Sequence, residues 1–392
     1  MKRILFLFTI CCLALPGWAQ RHYDEILRQV EEHNALLQAA RSRAEADQLK
    51  AHVGLLLPNP EVELSLFRGD PADQGTRWDL RVTQSFEMPS VYVRRARLRN
   101  LVEQAAQLDY GTTRNTVLYE TQLICADLIY YRAIAEVYSR RTEGLLRLRS
   151  VYEKRLAQGD CSVLEYNRLQ MEVINMQNHE ADAILKYDHL FHDLCNLLNT
   201  GSYNFQQREY EEGLLPAALD EWFDSVERTY PALRTLQNSV ELRQQELQLS
   251  RAQWLPEMSV GYASETVTGS AFRGVTVGAT LPIWSQQRAV RQASLSLSAA
   301  QQELSGRRTE LLQELTCLSH RLFTLRNNLN NLRDTYARYN SYELLDKALE
   351  AGEMTLEQYL LQVDYYTQQE LSIWEHAREY ELCWLQLNAV AL

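Results

Sequence analysis

The sequence predicts a mainly α-helical protein with a β-barrel portion, in which long antiparallel coiled-coil helices form two duplicated halves and each chain carries two β-hairpins. Long segments poor in glycine and proline carry apolar residues at helical spacing, and two shorter segments alternate apolar and polar residues. Four landmarks recur 193 to 197 residues later: Ala35-Leu36 as Ala232-Leu233, Pro60-Glu61 as Pro256-Glu257, Pro89 as Pro282, and Gly159-Asp160 as Gly352-Glu353. This period is too long for a solenoid repeat and indicates a duplicated half-protein.

Residues 1–19 predict a secretory signal peptide. Lys2 and Arg3 precede an apolar stretch from Ile4 to Leu15, and Pro16-Gly17-Trp18-Ala19 then provides small residues for cleavage. The stretch is too short for a membrane-spanning helix. Its two cysteines follow Ile10 rather than a small residue, so we expect a mature chain without a lipid anchor.

Composition argues against several classes of function. The formal net charge of −11 argues against a nucleic-acid partner, which needs a basic footprint. The five cysteines after the signal peptide are odd in number and widely spaced, which argues against a disulfide framework. No nucleophile elbow, phosphate-binding loop or metalloprotease motif is present, so we expect no enzyme and no cofactor. His189 and His192 are three residues apart, but no second pair complements them, and we expect no metal site.

Six segments have helical composition, and their apolar spacing is close to 3.5 residues. They cover residues 23–56, 91–158 and 162–199 in the first half, and residues 220–254, 286–351 and 355–392 in the second. In the second segment Ile124, Leu128, Tyr131, Ala135 and Tyr138 follow alternating steps of four and three. Such heptads predict left-handed coiled-coil packing.

Between the first two helices of each half, residues 61–86 and 257–281 predict β-hairpins. In the first strand Val62, Leu64 and Leu66 alternate with polar residues, and strands of about ten residues are long enough to cross a bilayer when tilted. Tryptophans expected at the membrane interface lie at or near the strand ends: Trp78, Trp254 and Trp284. The alternative is an amphipathic hairpin packed on the coiled coil.

Four strands cannot close a transmembrane barrel, and an open sheet edge cannot face lipid. If the hairpins span a membrane, several copies must pool them. Three copies give a twelve-stranded trimeric transmembrane barrel.

The order helix, hairpin, long helix, turn, helix, found twice, resembles the TolC family of outer-membrane efflux and secretion channels. The resemblance covers essentially the whole mature chain. The local matches are Tyr230-Pro231-Ala232-Leu233 at a helix start, Leu57-Pro58-Asn59-Pro60 and Trp254-Leu255-Pro256 before the first strands, Glu87-Met88-Pro89 and Leu281-Pro282-Ile283 after the hairpins, and Gly159-Asp160-Cys161-Ser162 and Gly352-Glu353-Met354-Thr355 between the long helices.

The resemblance implies that residues 20–392 form one TolC-like unit of two repeats, about 20–215 and 216–392. It implies a homotrimer in the outer membrane of a Gram-negative bacterium, with a periplasmic helical tunnel. Such a channel serves a tripartite efflux pump or a type I secretion system as a passive duct. It docks on a periplasmic adaptor (membrane fusion) protein and works with an inner-membrane transporter. The implied docking tip comprises Gly159, Asp160, Ser162, Gly352, Glu353 and Thr355.

Acidic residues near the tip are candidate gate or lumen groups: Glu165, Glu357 and Asp364, together with Asp160 and Glu353 in the turns themselves. In a symmetric trimer each lumen-facing acid becomes a ring of three, which favours cations. Family aspartates on the helix after the second turn correspond here to Gln358 and Leu361, a departure that puts a family-style aspartate gate in doubt. The exported substrate is not readable from the sequence. The alternative function is a soluble periplasmic coiled-coil scaffold or adaptor protein, with its hairpins packed on the helices.

Overall fold

The computed structural model describes residues 23–391 apart from residues 54–56, 69–74, 212–218, 268–269, 283 and 285. The predicted signal peptide and most of both expected hairpin turns lie outside the described residues. Within these ranges the chain has nine α-helices and four β-strands. The predicted mainly helical chain with a small antiparallel sheet is confirmed.

The two halves contain the same elements in the same order. The first half contains α1 (Asp24–His33), α2 (Ala35–Val53), β1 (Glu61–Arg68), β2 (Thr76–Phe86), α3 (Pro89–Gln158) and α4 (Val163–Leu197). The second half contains α5 (Leu219–Thr229), α6 (Pro231–Ala252), β3 (Glu257–Val267), β4 (Ser270–Thr280), α7 (Gln286–Tyr339), α8 (Tyr342–Glu350) and α9 (Leu356–Asn388), and a 3-10 turn at Ala389–Ala391. Relative to the first half, the second has one additional break, between α7 and α8.

Three segments predicted as single helices are each divided in two. Tyr230 takes an extended ψ of 115° because the following proline disfavours the helical conformation. Asn34 occupies the equivalent place in the first half, with a ψ of 123°, and its amide Nδ2 donates to the Leu197 carbonyl at 2.9 Å. Between α7 and α8, the Asn340 side chain accepts the Tyr342 N–H at 3.3 Å, and the Ser341 hydroxyl donates to the Tyr339 carbonyl. Such local side-chain bonds compete with the helix.

The four strands form one antiparallel sheet in the order β1-β2-β3-β4. Each hairpin pairs its own two strands, and β2 pairs with β3 to join the hairpins. The sheet therefore combines strands from both duplicated halves.

The chain divides into two compact units. The turn unit contains the chain up to Ala35, Asn115–Val226 and Leu315–Leu392, and the sheet unit contains Leu36–Arg114 and Glu227–Glu314. The turn unit buries leucines and isoleucine from several helices: Leu118, Leu128, Ile129, Leu194, Leu322 and Leu385. The sheet unit buries a smaller set: Leu37, Val91, Leu233, Leu247 and Leu311. None of the helices in the described part of the chain is both long and apolar enough to cross a membrane.

Candidate functional site

The first helix–helix turn joins α3 to α4 and is built from a glycine cap and a capping box. Gly159 has a φ of +79°, and its N–H donates to the Leu156 carbonyl at 3.1 Å. The Asp160 N–H donates to the Arg155 carbonyl at 2.8 Å, which completes a Schellman motif. Ser162 then caps α4, and its hydroxyl accepts the Glu165 N–H at 3.2 Å.

The second turn, between α8 and α9, repeats this geometry. Gly352 has a φ of +72° and donates to the Leu349 carbonyl at 3.1 Å, while Glu353 donates to the Ala348 carbonyl at 2.9 Å. The Thr355 hydroxyl accepts the Gln358 N–H at 3.2 Å. The predicted glycine breaks and helix caps are thus present at both turns, and both turns have the same hydrogen-bond pattern.

The helices that leave the two turns share one hydrophobic cluster. Its buried members come from α3, α4 and α9: Leu145, Tyr152, Leu169, Val173, Met176, Leu356 and Leu360. Cys161 in the first turn and Tyr359 in α9 pack against this cluster. The structure therefore brings together the two predicted docking turns within one unit.

Two of the side chains near the turns complete the helix caps. The Glu165 carboxylate accepts the Ser162 N–H at 2.8 Å, so this candidate lumen acid also closes the capping box. Gln358 does the same for Thr355, through its side-chain oxygen at 3.0 Å. One of the two positions that depart from the family aspartate pattern, Gln358, is thus occupied by a capping residue.

The other candidate acids differ in exposure. Asp160, Glu353 and Glu357 are exposed, and Asp364 is half-buried. Burial raises the pKa of the Tyr138 phenol, and the charge of Asp364 adds to this effect. A lumen role for these acids stays a prediction.

Tyrosines connect α8 to the neighbouring helices, a role that helical periodicity alone does not reveal. None of the α8 side chains is buried. The Tyr359 hydroxyl donates to Asp346 Oδ1 at 2.7 Å, and the Tyr342 hydroxyl lies 3.3 Å from the Thr367 hydroxyl. Burial and the Asp346 carboxylate raise the pKa of Tyr359. The α8 helix is thus held to α9 by polar contacts.

The register of the sheet places most of its apolar side chains on one face. Val62 pairs with Val82 and Leu64 with Leu80, while Val82 also pairs with Tyr262. Because side chains alternate between the two faces along each strand, all of these paired residues lie on the same face of the sheet. The apolar face remains exposed, with exposed fractions of 68% at Val62 and 65% at Leu64.

The opposite face of the sheet is charged. Arg77 Nε lies 2.8 Å from Asp79 Oδ1 and 3.0 Å from Glu265 Oε1. Arg81 Nη1 lies 3.6 Å from Glu63 Oε2. These charges lie on β1, β2 and β3, so the sheet is amphipathic across these three strands.

The three predicted interface tryptophans lie at opposite ends of the strands. Trp254 precedes β3 and Trp284 follows β4, at the end where the strands join the helices, while Trp78 is near the hairpin-turn end of β2. All three are exposed, Trp284 by 90%.

The histidines make ordinary contacts. His189 Nδ1 lies 3.1 Å from Asp193 Oδ2, and His179 stacks on Tyr138 with ring centroids 5.3 Å apart. Across the described ranges, no group of three His, Cys, Asp or Glu residues is arranged to hold a metal ion.

No protein-family model matches the chain, and no curated protein matches it. Several solved structures share its fold. A membrane protein from Pseudomonas aeruginosa aligns with a TM-score of 0.79 and 14% identity over 93% of this chain and 89% of that one. The CmeC outer membrane channel of Campylobacter jejuni gives a TM-score of 0.76, with 15% identity over 93% and 84%. The outer membrane protein VceC from Vibrio cholerae gives a TM-score of 0.72, with 11% identity over 93% and 94%.

These identities are low, so the likeness concerns the fold. It extends over 93% of the chain. The resemblance inferred from the sequence is confirmed at this level, and the chain has the fold of the TolC-family outer-membrane channels.

Proposed function

We propose that the protein is the outer-membrane channel of a tripartite efflux pump or a type I secretion system, a passive export duct from the periplasm to the exterior. The observation that carries this proposal is the exposed apolar face that runs across all four strands, interrupted by Arg273 on β4, opposite a face with charged residues on β1, β2 and β3. Outer-membrane barrels need such an amphipathic sheet, with the apolar side toward lipid and the polar side toward the lumen. The fold shared with known outer-membrane channels supports the same function.

The functional molecule is a homotrimer. The sheet of one chain ends in two edge strands, β1 and β4, and open edges do not persist in lipid. Three copies supply the twelve strands of a closed barrel. In this arrangement Trp78 faces one membrane interface, and Trp254 and Trp284 face the other.

A second apolar surface on α4 supports self-association. Leu164, Met171 and Leu185 recur at multiples of seven residues on the helix side away from the buried leucines, with exposed fractions of 79%, 71% and 66%. A heptad-spaced apolar stripe is suited to pack against another helix. We assign it to the contact with a neighbouring copy.

The two helix turns form the periplasmic tip that docks on an adaptor protein, through which the channel works with an inner-membrane transporter. Gly159, Asp160 and Ser162 repeat the geometry of Gly352, Glu353 and Thr355, so the tip offers the adaptor two similar surfaces per chain. The exposed acids Asp160, Glu353 and Glu357, together with Glu165 and Asp364, are the candidates for lumen rings that favour cations.

The membrane assignment is tested with substitutions at adjacent positions on opposite sheet faces. Leu64→Arg places a charge on the apolar face, where a charge at the bilayer midplane costs about 2–4 kcal/mol. Ser65→Arg places the same charge on the polar face. The two proteins are expressed in a Gram-negative host and fractionated.

We expect wild type and Ser65→Arg in the outer membrane as heat-modifiable trimers, and Leu64→Arg strongly depleted there. Release of the wild-type protein by osmotic shock would instead identify a soluble periplasmic scaffold.

Docking is tested separately with Gly352→Pro, which should impair export while leaving insertion intact. Normal export by that variant would contradict the role of the second turn.

A further inference from the structure

A cleft in the turn unit brings together arginine and tyrosine side chains that the export function does not use. It lies between α3, α7, α8 and α9 and has a volume of about 410 Å³. Its charged lining residues are three arginines and two acids: Arg140, Arg141, Arg147, Asp346 and Glu370. The cleft includes the break between α7 and α8.

Arg141 is the unusual member of this set. Its side chain is 9% exposed, and its Nη2 atom has no hydrogen-bond partner in the part of the chain that the structure describes. Burial lowers the pKa of Arg141, although the phenol of Tyr359 and the carboxylate of Glu172 act in the opposite direction. A buried cation with an unsatisfied donor is destabilising unless an anion compensates it.

The acids near Arg141 do not provide that compensation. The charges of Glu172 and Asp364 favour the charged guanidinium, but neither carboxylate forms an ion pair with it within the described ranges. Glu370 pairs with the neighbouring Arg140. Asp346 accepts the Tyr359 hydroxyl at 2.7 Å.

A second arginine without an ion pair lines the same cleft. Arg147 is exposed and forms no ion pair with any residue that the structure describes. Gly144 lies between the two arginines in sequence, and a Cβ added there would meet no atom within 4 Å. The cleft thus combines space, a buried guanidinium with a donor to spare and a second arginine that its two carboxylates do not pair with, since Glu370 pairs with Arg140 and Asp346 accepts the Tyr359 hydroxyl.

We propose that this cleft binds a small oxyanion, a free carboxylate or phosphate, with Arg141 as its principal donor. A guanidinium matches the two oxygens of either group with two parallel hydrogen bonds. Arg147 adds charge at the cleft, and the Asn340 amide is a further donor in its lining. The bound anion would connect α3 to the break between α7 and α8, and so stabilise the position of the loosely packed α8.

The test uses the full mature protein purified in detergent, with binding measured by isothermal titration calorimetry. The probes are inorganic phosphate and succinate, each titrated at constant ionic strength set with sodium chloride. We expect saturable binding of at least one probe. Arg141→Gln should weaken that binding by about tenfold or more, because it removes the charge-assisted bonds.

Two further arginine variants serve as a control outside the cleft and as a second test within it. Arg326→Gln removes an exposed arginine of α7 outside the cleft and should bind as wild type does. Arg147→Gln changes an exposed residue, so it tests the cleft even if Arg141→Gln fails to fold, and it should weaken binding by about two- to fivefold. Gel filtration and circular dichroism establish that each variant is folded.

Gly144 offers a test by occlusion. Gly144→Leu should reduce binding because its side chain takes up the cleft volume, whereas Gly144→Ala should leave binding intact. The proposal is overturned if neither probe binds to the wild-type protein. It is also overturned if Arg141→Gln and Arg147→Gln are folded and bind the probe as tightly as wild type does. The same holds if the control Arg326→Gln loses as much affinity as the cleft variants.

Discussion

At the scale of single residues, Gly159 and Gly352 are required by the backbone at the two turns. Both have a positive φ, and a Cβ added at either would meet no atom within 4 Å. The effect of substitution is therefore conformational rather than steric. We expect Gly159→Ala and Gly352→Ala each to destabilise the protein by about 1 kcal/mol, since alanine disfavours the left-handed region.

The measurement is the thermal unfolding midpoint of the purified protein, with Gly144→Ala as the matched control. Gly144 lies inside α3 with open space around it, so alanine there should stabilise the helix by up to about 1 kcal/mol. We expect the unfolding midpoint to fall in the two turn variants and to rise in Gly144→Ala. Equal shifts in all three variants would show that the turn conformation is not the cause.

The sequence predicted the residues of the turns better than the residues of the cleft. Glycine followed by serine or threonine is a local signal, and Ser162 and Thr355 cap their helices as expected. Arg141 gave no such signal because its burial depends on α8 and α9, about two hundred residues away in sequence. A charged residue in a heptad pattern is ordinarily expected on the solvated face.

At the scale of elements, α4 and α9, the helices that follow the two turns, each begin with a capping box. Ser162→Ala and Thr355→Ala should each destabilise the protein by about 1 kcal/mol, because an N–H in the first turn of the helix loses its acceptor. The conservative variants Ser162→Thr and Thr355→Ser keep the acceptor and should stay close to wild type. Denaturant unfolding measures the free energy of unfolding of each variant. If the alanine variants are as stable as the conservative ones, the caps do not stabilise the helices.

The α8 helix should be the least protected helix of the turn unit, because none of its side chains is buried. Tyr359→Phe removes the hydroxyl that donates to Asp346, and we expect faster amide exchange over residues 342–350. The core of α9 should be unaffected, since its buried leucines are unchanged. Hydrogen exchange with mass spectrometry measures this, and the exposed Tyr365→Phe is the control. Unchanged exchange in α8 would mean that this contact does not hold the helix.

The helix breaks show what local pattern can reveal. The break at Tyr230 has a visible cause in Pro231. The breaks at Asn34 and Asn340 depend on side-chain hydrogen bonds, one of them to the distant Leu197 carbonyl, and the apolar period continues through both. The segments were therefore predicted as continuous helices.

At the scale of the whole molecule, the internal duplication predicted the order of elements in both halves. It did not predict that β2 pairs with β3, because this contact joins strands about 180 residues apart in sequence. That pairing makes the apolar face continuous across both hairpins. Because β2 and β3 pair with each other, only β1 and β4 have an open edge at which another copy could join the sheet.

Assembly should also depend on the apolar stripe of α4. Met171 is 71% exposed between Leu164 and Leu185 in the heptad register, so a carboxylate there would be buried without a partner in a helix–helix contact. We expect Met171→Glu to weaken trimer formation by about tenfold or more, a loss of the size found at interface hot spots. The control is Gln177→Glu, which adds the same charge at an exposed polar position of the same helix. Analytical ultracentrifugation in detergent measures the trimer fraction. Met171→Glu trimers as stable as those of Gln177→Glu would remove α4 from the interface and leave self-association to the sheet edges alone.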